Sequence, residues 1–226
     1  MIRRHSTLAL PKHGASRAQY EDASYGPVVT GSETRLAIAD GATESAFSGL
    51  WARLLVQEAC RAPLAEAIPA ARAAFASAAA SRGASLPWYA EAKAAEGAHA
   101  TVLGVTLHRD GALRADAVGD CILFHIRNGE TRLAWPLSDP ADFDNRPDLV
   151  ASGEGVSVPE ASSLDDRWKS GDRLVLATDA IAAYLLATDP LAALDLDQDG
   201  FENLVQTGRQ QGMRNDDVTL IEAVLQ

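Results

Sequence analysis

From Ala100 to Trp135 the chain reads as short apolar runs broken by three glycine pairs, Asp110-Gly111, Gly119-Asp120 and Asn128-Gly129. Strand side chains alternate between two faces, and Asp-Gly or Asn-Gly supplies the positive φ that a tight hairpin turn requires. The spacing predicts strands over 102–107, 113–118, 121–126 and 131–135, joined as an antiparallel meander. A chain with this segment must build layers around a sheet.

Upstream the period is different. Residues 34–39 read as a buried strand running into Asp40-Gly41, and Phe47, Leu50, Trp51, Leu54 and Leu55 then recur at helical intervals. An Ala-rich stretch over 64–84 places Ile68, Ala71, Phe75 and Ala79 on one helical face, with Arg72 and Arg82 outside, and a further helix is expected around 88–96. Residues 136–166, rich in Pro, Asp, Ser and Gly, read as a surface excursion. A strand over 173–178, a helix over 181–187 and a last strand over 218–225 complete the pattern. Mixed strands and helices with antiparallel hairpins define an α+β class.

The 226 residues are 47% hydrophobic, enough for one core, and no linker interrupts them, so a single domain over 1–226 is expected. The 20 Lys and Arg against 31 Asp and Glu give a net charge of −11, which excludes the basic footprint that nucleic acid requires. Cys60 and Cys121 lie far apart, without zinc or disulfide spacing. No apolar run approaches the ~20 residues that span a bilayer. A cytoplasmic protein without membrane contact is expected, and a monomer.

Aspartate recurs where strands begin or end: Asp40, Asp120, Asp179 and Asp216, with Glu21-Asp22 ahead of them. Singly, such residues cap helices and start turns. Brought together, they are hard oxygen ligands suited to magnesium or manganese, and two such ions can activate a water and clamp a phosphoryl group.

Five segments, Arg17-Ala18-Gln19-Tyr20-Glu21-Asp22, Leu36-Ala37-Ile38-Ala39-Asp40-Gly41, Val118-Gly119-Asp120, Leu176-Ala177-Thr178-Asp179 and Asn215-Asp216-Asp217-Val218-Thr219, resemble in order the motifs of type-2C (PPM) protein phosphatases. The resemblance spans nearly the whole chain. It implies a four-layer α-β-β-α sandwich of two mostly antiparallel sheets flanked by helices, with two Mn²⁺ or Mg²⁺ ions at one end. By the same resemblance Asp40 would bridge the metals, the Gly41 carbonyl would bind one, and Asp179 and Asp216 would complete the second. Glu21 and Asp22 would act through waters, Asp22 orienting the nucleophile, and Arg17 would bind the substrate phosphate. The implied substrate is a phosphorylated protein, with a cognate kinase as a second candidate partner.

The departures are specific. Ala42-Thr43-Glu44 follows Asp40-Gly41 where the family continues with His or Met, so no imidazole is available to protonate the leaving alkoxide. Ala180 replaces a usual Gly. Ala183 stands where a further Asp is sometimes found, which disfavours a third ion held through Asp120. Asp217 replaces Asn, a mild change. These departures keep open the alternative of a weak or inactive phosphatase-like module that binds a phosphoprotein. Asp195-Leu196-Asp197-Gln198-Asp199-Gly200 resembles an EF-hand opening, but Gln206 stands where the bidentate carboxylate belongs, and a helix cap in a solvated loop is the better reading.

Overall fold

Strand register fixes which strand ends meet. The computed structural model describes residues 1–43, 47–83, 97–143 and 146–226. In chain order it contains β1 (Ile2–Leu10), β2 (Ala23–Thr30), β3 (Glu33–Ala39), α1 (Ser48–Ala59), α2 (Leu64–Gly83), β4 (His99–Ala100), β5 (Val102–His108), β6 (Ala112–Val118) and β7 (Ile122–Arg127). After these come β8 (Glu130–Trp135), β9 (Val150–Ala151), β10 (Ser162–Arg167), β11 (Arg173–Ala177), α3 (Asp179–Ala187), α4 (Gln198–Gln210) and β12 (Val218–Leu225). The helix expected at 88–96 lies outside the described residues.

One sheet runs β1-β12-β11-β7-β8 and the other β10-β6-β5-β3-β2, while β4 pairs with β9. Every pairing is antiparallel. Alternation along the strands then sorts the core into layers. Leu36 and Ile38 of β3 face Leu174 and Leu176 of β11 and Ile221 of β12 between the sheets. Ala37 and Ala39 turn outward to Trp51, Leu55 and Ile68 of α1 and α2, and Val175 and Ala177 turn outward to Ile181, Phe201 and Val205 of α3 and α4. This is the expected α-β-β-α sandwich.

The pairings Ala23↔Ala39, Ala177↔Ile122, Ala177↔Leu220 and Val102↔Val118 put the starts of β2, β7 and β12 at the same end as the finishes of β3, β6 and β11. The residues just beyond those ends are Asp22, Asp40, Asp120, Asp179 and Asp217.

Several expectations are corrected. The run from Ala100 is two hairpins in different sheets, because the chain crosses over at Gly119-Asp120. Gly119 has φ +95, and a Cβ there would lie 2.5 Å from Thr101 Cγ2 and 2.8 Å from the Asp148 carbonyl, so only glycine permits the crossing. The 136–166 excursion contains β9 and β10. β10 is an edge strand carried by its ladder to β6 and by polar cross-strand pairs such as Ser163 Oγ to Asp116 (2.7 Å), so it lacks an apolar rhythm. β1 and β2, likewise sheet edges, and α4 were not expected as elements. Arg72 points inward: it is buried, and its Nε donates to the Ala151 carbonyl at 2.9 Å, while Trp51 Nε1 donates to Val150 at 2.8 Å. The small alanines of α2 leave room for that arginine stem. The EF-hand-like segment is a helix cap as expected, that of α4, with Asp197 accepting from Gly200 N at 2.8 Å.

Candidate active site

Asp22 is the most constrained acid at the shared strand end. It precedes β2 in one sheet, yet its Oδ2 accepts hydroxyl hydrogen bonds from Thr178 (3.0 Å) and Thr219 (2.8 Å), both from the other sheet. Thr178 Oγ1 in turn accepts from Thr219 N at 2.9 Å. Since Thr219 gives its proton to Asp22, the Tyr20 hydroxyl must be the donor in its short contact with Thr219 Oγ1. The result is a directional chain, Tyr20 to Thr219 to Asp22, that fixes one carboxylate oxygen. The other, Oδ1, is buried and receives no hydrogen bond.

Burial and the neighbouring Asp40 charge push Asp22 well above the usual carboxylate range, against the opposing Thr219 hydrogen bond. Asp40 is pushed up to about 7 by burial, with Asp216 and Asp120 adding to the rise and Asp22 and Arg214 opposing it. Four acids from both sheets therefore act on one another electrostatically. Backbone bonds hold Asp40 in place: its carbonyl accepts from Thr101 N at 2.9 Å, and Ala42 N donates to the His99 carbonyl at 2.9 Å.

Gly41 and Gly49 allow α1 to close on this end. A Cβ on Gly41 would lie 2.7 Å from the Glu21 carbonyl and 2.9 Å from Ser48 C, and one on Gly49 would lie 3.0 Å from the Tyr20 carbonyl. Glu21 is held by the Ser48 hydroxyl on one oxygen and by Lys12 Nζ on the other at 3.5 Å. Asp217 is buried and accepts from Lys12 N (2.8 Å) and Glu21 N (2.7 Å), so it ties the 12–21 segment to β12. That is a larger part than the mild exchange expected of it, because a carboxylate can face two N–H donors without turning a donor of its own toward them.

Asp179 opens α3, accepts from Ala180 N at 2.6 Å and is paired with Arg214. The same guanidinium lies 3.6 Å from Asp216 Oδ2. Among the described residues no three carboxyl groups close on one point as a finished metal cage. Even so, the donors suit a hard divalent cation: they are carboxylate oxygens, one of them buried without a donor, and an organic cation already stands between two of them.

Arg17 lies elsewhere. It lines a groove with Thr7, Ala9, Pro11, Tyr20 and Gln198, whereas the cleft of about 400 Å³ beside Glu21 contains Lys12, Thr43, Ser48 and Arg53. Tyr20, Thr178 and Thr219 sat inside the motifs without an assigned role, and their signal was the hydroxyl side chain flanking each acid. Lys12 and Arg214 carried no sequence signal.

A sandwich of this kind recurs in solved bacterial phosphatases. The serine/threonine phosphatase Stp1 from Staphylococcus aureus superposes with a TM-score of 0.69 at 15% identity, covering 100% of this chain and 96% of that one. The Mycobacterium tuberculosis serine/threonine phosphatase PstP/Ppp gives 0.68 at 19% identity with 100% of both chains covered. The PstP catalytic domain in complex with 2 manganese ions gives 0.64 at 18% identity, covering 99% and 98%. Comparison with curated protein sequences yields no match. Residues 11–218 match the Protein phosphatase 2C family, and the chain belongs to it.

Proposed function

We propose that this protein is a metal-dependent serine/threonine phosphatase that hydrolyses phosphomonoesters on protein substrates at the end of the sandwich carrying Asp22, Asp40, Asp179 and Asp216. The observation that carries this reading is Asp22 itself, a buried carboxylate from one sheet aimed by two threonine hydroxyls from the other, with one oxygen left open beside Asp40.

Two Mn²⁺ or Mg²⁺ ions would be held by Asp40, Asp179, Asp216 and the Gly41 carbonyl, and when bound they supply charge neutralisation for the phosphate and acidify the attacking water. Asp22 orients that water and accepts its proton, since Thr178 and Thr219 fix the carboxylate without consuming Oδ1. Glu21 shapes the approach as the partner of Ser48 and Lys12. Lys12, and Arg17 from the neighbouring groove, are the cations that would meet the phosphate. The phosphorus–oxygen ester bond breaks as water adds, and the alkoxide takes its proton from solvent, because Ala42 offers none. Asp120, buried beside Asp40, adjusts its charge. We further propose one domain and a cytoplasmic monomer working opposite a kinase; among the described residues no helix is long and apolar enough to cross a membrane.

The test is hydrolysis of p-nitrophenyl phosphate and a phosphothreonine peptide with Mn²⁺, Mg²⁺ or EDTA, for wild type, Asp40→Asn and Asp179→Asn. Metal-dependent turnover lost in both variants supports the enzyme. Ala42 and the Arg214 pairing favour a second reading, a phosphoprotein-binding module; it would be the better one if the peptide binds and is never cleaved.

A further inference from the structure

Arg214 sits at the acid-rich end on a backbone that leaves its main chain little freedom. α4 ends at Gln210, Gly212 turns the chain at φ +107, Met213 N donates to the Gly208 carbonyl at 2.8 Å, and Asp216 N donates to the Arg214 carbonyl at 3.1 Å. Met213 is buried, and a Cβ on Gly208 would meet its Cε at 2.5 Å. This packing presents the Arg214 side chain to Asp179 and Asp216. The Asp179 side chain is 7% exposed and that of Arg214 is 46% exposed, so a buried anion is met by a cation whose other side faces solvent.

A buried carboxylate without a counter-charge is costly, and several lie together here. Arg214 relieves that repulsion and opposes the rise of the Asp40 carboxyl. It cannot share the place with a divalent ion, because its guanidinium occupies the oxygens such an ion would take. Beside it runs a groove of about 510 Å³ lined by Phe143, Ala183, Tyr184 and Met213, wide enough to receive the displaced side chain.

We propose that Arg214 is an exchangeable internal counter-ion, which bridges Asp179 and Asp216 in the metal-free protein and must swing into the groove beside α3 before a divalent cation can bind there. The inference rests on the metal-dependent reading above. It makes metal affinity a property of the arginine as well as of the carboxylates, since only the fraction of molecules with Arg214 swung out is competent to bind.

The experiment is calorimetric titration of the EDTA-stripped full chain with Mn²⁺, for wild type and Arg214→Gln, together with thermal melts with and without metal. Arg214→Gln is expected to bind the ion held by Asp179 and Asp216 about tenfold more tightly, the result if Arg214 is swung out in roughly a tenth of wild-type molecules. Its metal-free melting temperature should fall below wild type, while the manganese-loaded temperatures coincide. Equal or weaker affinity in Arg214→Gln, with wild type binding normally, overturns the exchange and leaves the phosphatase reading intact. If neither protein binds Mn²⁺, the metal-dependent reading falls and the exchange falls with it. Should Arg214→Gln not fold, NMR of arginine side-chain N–H groups in wild type during Mg²⁺ titration reads the same event. Release of the Arg214 Nη–H protons into fast solvent exchange supports the proposal, and unmoved resonances at saturation overturn it.

Discussion

The Thr219 hydroxyl donates to Oδ2 of Asp22 at 2.8 Å across the seam between the two sheets. Thr219 belongs to β12 and Asp22 leads into β2, so this bond couples the spacing of the sheets to the aim of the proposed general base. A hydroxyl donor also favours the charged carboxylate, against burial and Asp40, which raise it.

Thr219→Val removes that donor and leaves the Tyr20 hydroxyl with the Val218 carbonyl, at 3.3 Å, as its acceptor. The acid limb of the kcat/KM profile should move to higher pH, and kcat should fall about tenfold or more with KM little changed. A pH series on the phosphothreonine peptide checks both, and an unmoved acid limb would remove Asp22 from its role.

Asp40 makes the metal-free protein sensitive to pH. With its folded value pushed up to about 7 from an ordinary 3.8, the folded chain keeps a proton that the unfolded chain has lost across that interval. The folded state binds more protons there, so this contribution to stability falls as pH rises from about 4 to about 7. Urea denaturation in EDTA should show wild type losing stability, relative to Asp40→Asn, over that window. Saturating Mn²⁺ should abolish the difference in slope.

Asp217 accepts two backbone N–H groups, from Lys12 and Glu21. Asp217→Asn turns an amide donor toward one of them and should cost about 1–3 kcal/mol of stability. Hydrogen exchange should then quicken at Lys12 and Glu21 and stay unchanged within α4.

Lys12 lies in the cleft with Glu21, and Arg17 lines a different groove. Lys12→Ala should raise KM for the phosphopeptide several-fold more than Arg17→Ala does. The reverse order would make Arg17 the principal phosphate ligand.

The elements legible from sequence are those that bury side chains. β3, β5, β6, β7, β11 and β12 read as strands because their alternation fills one of three apolar layers, and α1 and α2 read as helices for the same reason. β1, β2 and β10 were illegible because these edge strands lean on backbone ladders and bury few side chains, whereas β8, also an edge, was marked by the Asn128-Gly129 turn before it. Arg72 misled for a related cause: a helix pattern records polarity, while the Ala151 carbonyl that receives this arginine lies 79 positions along the chain.

The acids divide in the same way. Asp22, Asp40, Asp120, Asp179 and Asp216 were legible because each adjoins a short apolar strand or a recognisable motif, and local pattern determines where a strand stops. Their convergence was a matter of tertiary structure, because antiparallel register decides which ends meet and sheet packing decides how near they come. The same holds for Thr178 and Thr219 on Asp22, Lys12 on Glu21 and Arg214 on Asp179. Each of these contacts spans a stretch of chain longer than any local period, so its partner is chosen by the packed fold and by the electrostatics of buried charge.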